Sequence, residues 1–135
     1  LALVVAAAPG HDQAWTQRGL TAALGERWED AERYYKKALE LNAGNFEAWS
    51  QCGDCARLNN RFKEALVSYQ RALELSPNHH HARLGRALCW VSLEGPSIKV
   101  RDELVWFAKN YPQDHRIGLV KELIQDVNEE LAKKE

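Results

Sequence analysis

An internal repeat constrains this chain more than any other feature. Residues 46–79 follow residues 12–45 without a gap, and the two segments agree at 13 of 34 positions, among them Ala14/Ala48, Trp15/Trp49, Gly19/Gly53, Ala31/Ala65, Tyr35/Tyr69 and Ala38/Ala72. A fixed period of this length means one supersecondary unit laid down more than once. In the second copy Trp49, Gly53 and Ala56 fall on one face of a helix, and Phe62, Ala65, Tyr69, Ala72 and Leu73 mark a second helix. Between them stands Leu58-Asn59-Asn60-Arg61, where asparagine tolerates the left-handed conformation that ends a helix. Gly25 is expected to do the same in the first copy. Each copy is therefore a helical hairpin. Gly19, Gly53, Ala31 and Ala65 lack bulk where the two backbones approach, and Trp15, Trp49, Tyr35 and Tyr69 fill the spaces between. One hairpin cannot bury both of its faces, so neighbours must stack.

Trp49, Gly53, Ala65, Tyr69, Ala72 and Pro77, repeated nearly as well from Trp15 to Ala38, resemble the signature of the tetratricopeptide repeat (TPR) family. The resemblance implies an all-α protein, a right-handed α-solenoid of about three stacked hairpins closed by a C-terminal helix. It also implies a protein-interaction scaffold rather than an enzyme. The expected divisions are 1–11, the tail of a preceding repeat; 12–45, the first repeat; 46–79, the second; 80–113, a divergent third; and 114–135, a capping helix.

The third unit departs from the pattern. Ala82, Ala87, Leu88 and Trp90 continue a first helix, with Ala87 where Gly53 stood, and Glu94-Gly95-Pro96-Ser97 makes a turn one residue longer than before. Val100, Leu104 and Phe107 then stand where the earlier copies carry Ala, Tyr and Ala, which should push that second helix outward. After it Ile117, Val120, Ile124, Val127 and Leu131 form an apolar stripe on a charged helix, the pattern of a cap over the exposed last hairpin. At the other end Leu1 to Ala8 is in register with the second helix of an earlier repeat. The chain contains no Met, even at position 1, so it is expected to be a piece of a longer protein. If Leu1 to Ala8 is instead the end of a secretory signal, the protein is exported to the periplasm or the exterior.

Charge is balanced, 18 basic against 19 acidic residues, which supplies no field for nucleic acid or an anionic membrane. The longest apolar run is far short of the ~20 residues a spanning helix needs. Three cysteines, an odd number, favour a reducing compartment and so a cytoplasmic protein. Cys52-Gly-Asp-Cys55 has metal half-site spacing, but no second pair completes it. Cys55 and Cys89 are one period apart, with Thr21 the equivalent in the first copy, so all are expected to be small buried packing residues. His79-His80-His81 opens a helix with three side chains pointing in different directions and reads as a solvent-exposed helix start rather than a metal site. No phosphate loop, nucleophile elbow or carboxylate pair is present, and neither catalytic residue nor cofactor nor metal is expected.

The resemblance places binding in a concave groove lined by the first helix of each hairpin. The side chains expected there are Gln13, Thr16, Gln17, Leu20 and Ala23; Glu47, Ser50, Gln51, Asp54 and Arg57; and His81, Leu84, Leu88 and Val91. The apolar trio Leu84, Leu88 and Val91 needs cover. One TPR subgroup grips acidic chaperone tails with lysines, asparagines and an arginine. The corresponding positions here hold Thr16, Leu20, Gln51, His81 and Gly85, which disfavours such a tail and favours an apolar or amphipathic protein segment. Self-association is left open. The alternative reading is an accessory module that positions substrate for a larger multidomain enzyme.

Overall fold

The structure is a computed structural model that describes residues 10–134; both readings of Leu1 to Ala8 concern residues outside that range. Among the described residues every regular element is helical: α1 (His11–Leu24), α2 (Trp28–Leu41), α3 (Phe46–Leu58), α4 (Phe62–Leu75), α5 (His80–Glu94), α6 (Ile98–Asn110) and α7 (Ile117–Lys133). Helices α1 and α2 pair most closely, as do α3 and α4, and each hairpin packs on the next, giving the expected helical solenoid.

Close pairing depends on the exchange of small residues for aromatic rings. A Cβ placed on Gly53 would sit 2.6 Å from the Tyr69 ring, nearer than real side chains approach. The same ring also fills the space a Cβ on Gly85 would take. Tyr69 is thus held between α3 of its own hairpin and α5 of the next, fully buried, with Ala56, Ala65, Ala72, Ala82 and Cys89 around it. Gly85 makes this contact from the next hairpin, while Ala87, one period after Gly53, is buried with Val100 and Leu104 of its own. Tyr35 plays the matching part against Gly19.

The turns inside the first two hairpins share one closure. In the second, Arg61 N donates to Ala56 O at 2.8 Å and Asn60 N to Arg57 O at 3.0 Å, with Asn60 at φ 63°. In the first, Arg27 N donates to Ala22 O and Glu26 N to Ala23 O, both at 2.9 Å. This paired pattern satisfies the last helical carbonyls and requires a left-handed residue. That residue in the first hairpin is Glu26, at φ 58°, whereas Gly25, expected from its lack of a side chain, has φ −88°. The bond pattern fixes the position one residue beyond the glycine.

The third hairpin is held differently. Helices α5 and α6 pair more sparsely than the earlier hairpins, separated by buried Val100, Leu104 and Phe107. Glu103 of α6 spans the gap, accepting from Arg83 Nε and Nη2, both at 2.9 Å, and from Arg86 Nη2 at 3.2 Å. Gly95, at φ 83° and ψ −173°, turns the chain through a conformation open only to glycine, and Ser97 Oγ then caps α6 by accepting from Val100 N at 3.3 Å. Val120 and Val127 of α7 are buried against this hairpin, with Ile124 and Leu131 beside them. Full burial of two such side chains contributes about 3–6 kcal/mol, enough to hold α7 in place.

Candidate functional site

The first helices α1, α3 and α5 carry the side chains expected to line the groove, and together with α7 they form three zones. At the N-terminal ends of α1 and α3, Gly10, Gln13, Ala14, Thr16, Gln17, Asn45 and Glu47 surround a polar hollow of about 450 Å³. Gln13, Gln17 and Glu47 are exposed there, but Thr16 is buried. Its hydroxyl donates to Asp12 O at 3.0 Å and accepts from Asn45 Nδ2 at 3.1 Å, while Asn45 Oδ1 caps α3 by accepting from Ala48 N at 2.9 Å. Thr16 therefore fastens one hairpin to the next and is not free to meet a ligand. Ser50 is also buried, and its hydroxyl has no partner among the described residues. Leu20 and Gln51 are half-buried, and Ala23 packs against the cluster of Ala22, Ala31, Tyr35 and Cys55.

The middle zone is a chain of polar contacts crossing three helices, α3, α4 and α5, to the N-cap of α7. Arg57 Nε donates to Tyr69 Oη at 3.1 Å, and Tyr69 Oη donates to Asp54 Oδ1 at 2.5 Å. The other Asp54 oxygen meets His81 Nε2 at 2.5 Å, and His81 Nδ1 meets Arg116 Nη1 at 2.7 Å. A guanidinium only donates, so in this geometry Nδ1 is the acceptor and Nε2 carries the proton pointing at Asp54. Arg116 is fixed in turn by both oxygens of Asp114, at 2.9 and 3.0 Å. Burial alone would raise the Asp54 pKa, but the hydrogen bonds from His81 and Tyr69 and the Arg57 charge outweigh it, so the carboxyl sits below its ordinary value. The hydrogen bond from Arg116 likewise holds Asp114 well below the usual carboxylate range. Two groove residues far apart in sequence, Asp54 and His81, are thus brought into contact. Arg116, which completes the chain, was not among those expected.

The third zone is apolar. Leu88 and Val91 of α5 meet Leu119 and Leu123 of α7, Leu58 of α3 and Phe62 of α4 around a cavity of about 380 Å³, with Arg57, Asn60 and Ser92 at its edge. Leu84 does not join them. It is 4% exposed and lies in the core with Ala87, Leu104 and Val120, so α7 supplies the cover that Leu84 was expected to take from a ligand. Leu119 and Leu123 were missed because only one stripe of α7 was assigned a role. Their own spacing of four, beside the capping stripe, was the available signal, since a helix packed on one side needs only one stripe.

The remaining sequence candidates fall outside these zones. Cys55 and Cys89 are buried, whereas Cys52 is only partly buried and Thr21, their counterpart in the first repeat, is exposed. Burial pushes the Cys52 and Cys55 thiols up to about 12, which keeps them protonated and poorly nucleophilic. Cys52 joins Leu39, Trp49 and Ala56 at the floor of a cleft of about 510 Å³ between α2, α3 and α4. None of the fourteen expected groove residues lines this cleft, although it is larger than the two hollows just described. The histidine triplet is half-buried rather than solvent-exposed. His79 lies edge-on to Phe46, His80 stacks on Tyr111 with ring centroids 4.0 Å apart, and His81 belongs to the polar chain. Among the described residues no group of three or more His, Cys, Asp or Glu side chains is placed to hold a metal ion.

Known proteins match this architecture. Family models of the tetratricopeptide repeat match residues 12–45 and 46–79, which together make half of the chain. No curated protein sequence matches it. Among solved structures, the Arabidopsis OM64 TPR domain is 17% identical over 85% of this chain and 94% of that one, with a TM-score of 0.75. The first TPR domain of Spaghetti (RPAP3), bound to an HSP90 peptide, is 12% identical over 90% and 93% of the two chains, at 0.79. The translocator chaperone SycD of Yersinia enterocolitica type III secretion is 11% identical over 95% and 89%, also at 0.79. At such identities the likeness is one of fold. With the repeat matched at two consecutive 34-residue units, the alternation of glycine and tyrosine between helices and the stacked hairpins, the chain belongs to the tetratricopeptide repeat family.

Proposed function

We propose that this chain is an interaction scaffold that lays an apolar or amphipathic segment of a partner protein along the groove formed by α1, α3, α5 and α7. The observation that carries this reading is the apolar end of the groove, where Leu88, Val91, Leu119 and Leu123 line one cavity together with Leu58 and Phe62. Leu58 and Leu119 are 54% and 52% exposed, so water meets apolar side chains at a concave site rather than on a convex ridge. The polar hollow at the other end offers Gln13, Gln17 and Glu47 to the backbone of the same segment. The solved neighbour bound to an HSP90 peptide supports peptide binding as a use of this fold. An acidic chaperone tail remains disfavoured here, because Thr16 and His81 at two of the clamp positions are committed to internal hydrogen bonds.

Leu88→Glu and Leu123→Glu test the proposal. Both place a charge in the cavity wall, and neither side chain is fully buried. Partners recovered with the wild-type chain should be lost by at least tenfold in affinity while the far-ultraviolet circular dichroism keeps its helical shape. Retention of those partners by both variants would refute the groove.

A further inference from the structure

We infer that the apolar end of the groove selects a partner segment in which a leucine or phenylalanine is flanked by an acidic side chain, the carboxylate pairing with Arg57. This rests on the groove reading above and adds to it the charge of the partner. Among the residues lining that cavity Arg57 is the one with a formal charge, and no aspartate or glutamate accompanies it. Arg57 is nevertheless not consumed by its neighbours. Its Nε is committed to Tyr69 Oη at 3.1 Å, but its Nη2 comes no nearer than 3.7 Å to Asp54 Oδ1, beyond hydrogen-bonding distance. Asp54 cannot serve it better, because one carboxylate oxygen is already held at 2.5 Å by Tyr69 and the other at 2.5 Å by His81. Among the described residues the terminal nitrogens of Arg57 therefore have no hydrogen-bond acceptor, and its side chain is 24% exposed.

The guanidinium is also oriented in advance. Tyr69 is fully buried between Gly53 and Gly85, so the hydroxyl that receives Arg57 Nε does not move. Holding one edge of the planar fork leaves the other edge free for a carboxylate, and a positioned donor in a partly dry site loses little entropy on pairing. A lysine or arginine in the same place on the partner would meet Arg57 with no acid in the cavity wall to receive it. The source is taken to be an acidic side chain of a peptide, because α3, which carries Arg57, also bounds the polar hollow lined by Gln13, Gln17, Asn45 and Glu47, which suits a backbone and gives nothing to a lipid tail.

The test uses synthetic fluorescein-labelled amphipathic peptides, amidated at the C-terminus, each with one leucine anchor. A second position, one to four places from the anchor, is Glu, Gln or Lys, and binding is read by fluorescence anisotropy. The best Glu peptide should bind about tenfold tighter than its Gln twin, the scale of a hydrogen bond to a charged group, with Lys weakest. Arg57→Gln should erase the Glu-over-Gln difference, and Arg57→Lys should keep part of it; thermal melts of both identify any loss of fold. Equal binding of Glu and Gln peptides to the wild-type chain, both abolished by Leu88→Glu, would overturn the inference and leave the groove standing. Binding that Leu88→Glu does not weaken would overturn the groove and the inference together, as would no binding by any peptide at millimolar concentration. A peptide ending in a free-acid leucine that outbinds every amidated one would overturn the side-chain source.

Discussion

The two repeat tyrosines offer a matched experiment, because the same ring occupies the same packing site with its hydroxyl satisfied in one copy and stranded in the other. Tyr69 Oη donates to Asp54 and accepts from Arg57, whereas Tyr35 Oη is buried with no partner among the described residues. The cause is a pair of substitutions one period back. Leu20 and Ala23 stand where Asp54 and Arg57 stand in the second repeat. Tyr69→Phe removes a hydrogen bond to a buried carboxylate and strips Arg57 of its acceptor; bonds to charged groups are worth ~1.5–3 kcal/mol each, and His81 still holds Asp54. A net loss of about 2–3 kcal/mol is expected, which for a chain of this size lowers the melting temperature by roughly 8–12 °C. Tyr35→Phe removes a hydroxyl whose desolvation, about 1–3 kcal/mol, is not repaid by any bond. Its expected effect lies between none and a gain of about 1 kcal/mol. Urea titrations followed by circular dichroism at neutral pH, with the slopes compared to confirm a common unfolding transition, measure both changes. Equal losses in the two variants, or a larger loss for Tyr35→Phe, would refute the assignment of the hydroxyls.

Other outcomes follow from the turns and from titration. Glu26→Gly should stabilise the chain by about 1 kcal/mol, since the left-handed conformation at φ 58° costs a side-chain-bearing residue roughly that much, and a lower melting temperature would show that the Glu26 side chain contributes something else. Acid should act in two stages. Burial and the neighbouring histidine charges lower the His79 pKa from 6.5 to about 4, and burial and Arg116 lower that of His80. An unfolded chain binds those protons first, so stability present above pH 6.5 should be lost as the pH falls toward about 4. It should fall further below the carboxylate range as Asp54 and Asp114, both depressed, are protonated. A melting temperature that stays flat from neutral pH to about 4.5 would contradict the half-buried placement of the triplet.

The fold was legible because its determinants are local and repeated. Trp49, Gly53, Ala65, Tyr69 and Ala72 recur one period from their partners, and helical spacing converts each set into a face. What could not be read depends on which elements meet. Asp54 reaches His81 across 27 positions and Arg116 reaches His81 across 35, and no spacing rule links residues on separate helices. Leu84 and Leu88 look alike in sequence, yet only the placement of α7 decides that the first is core and the second faces a cavity. Thr16 and Ser50 carry small polar side chains on the groove stripe, and their burial follows from how tightly successive hairpins approach. Gly85 reads in sequence only as a groove position, and its packing against Tyr69 is not foreseen because it lies outside the 34-residue register that Gly19 and Gly53 obey.

The ring of Tyr69 has a mechanical consequence. Wedged between Gly53 and Gly85, it acts as a rigid spacer whose thickness sets the pitch from α3 to α5. Bending the array at that junction would have to lift an aromatic face off one glycine backbone or press it into the other, and both directions meet a steep restoring force. The second hairpin and α5 consequently move as one plate, with Arg57 mounted on it. The joint between α5 and α6 is held differently, by buried Val100, Leu104 and Phe107 and by the Arg83–Glu103 fork, with Arg83 stacked on Trp106. An array built this way fixes the spacing of α3 and α5, and with it the distance between Arg57 and Leu88 across the proposed groove.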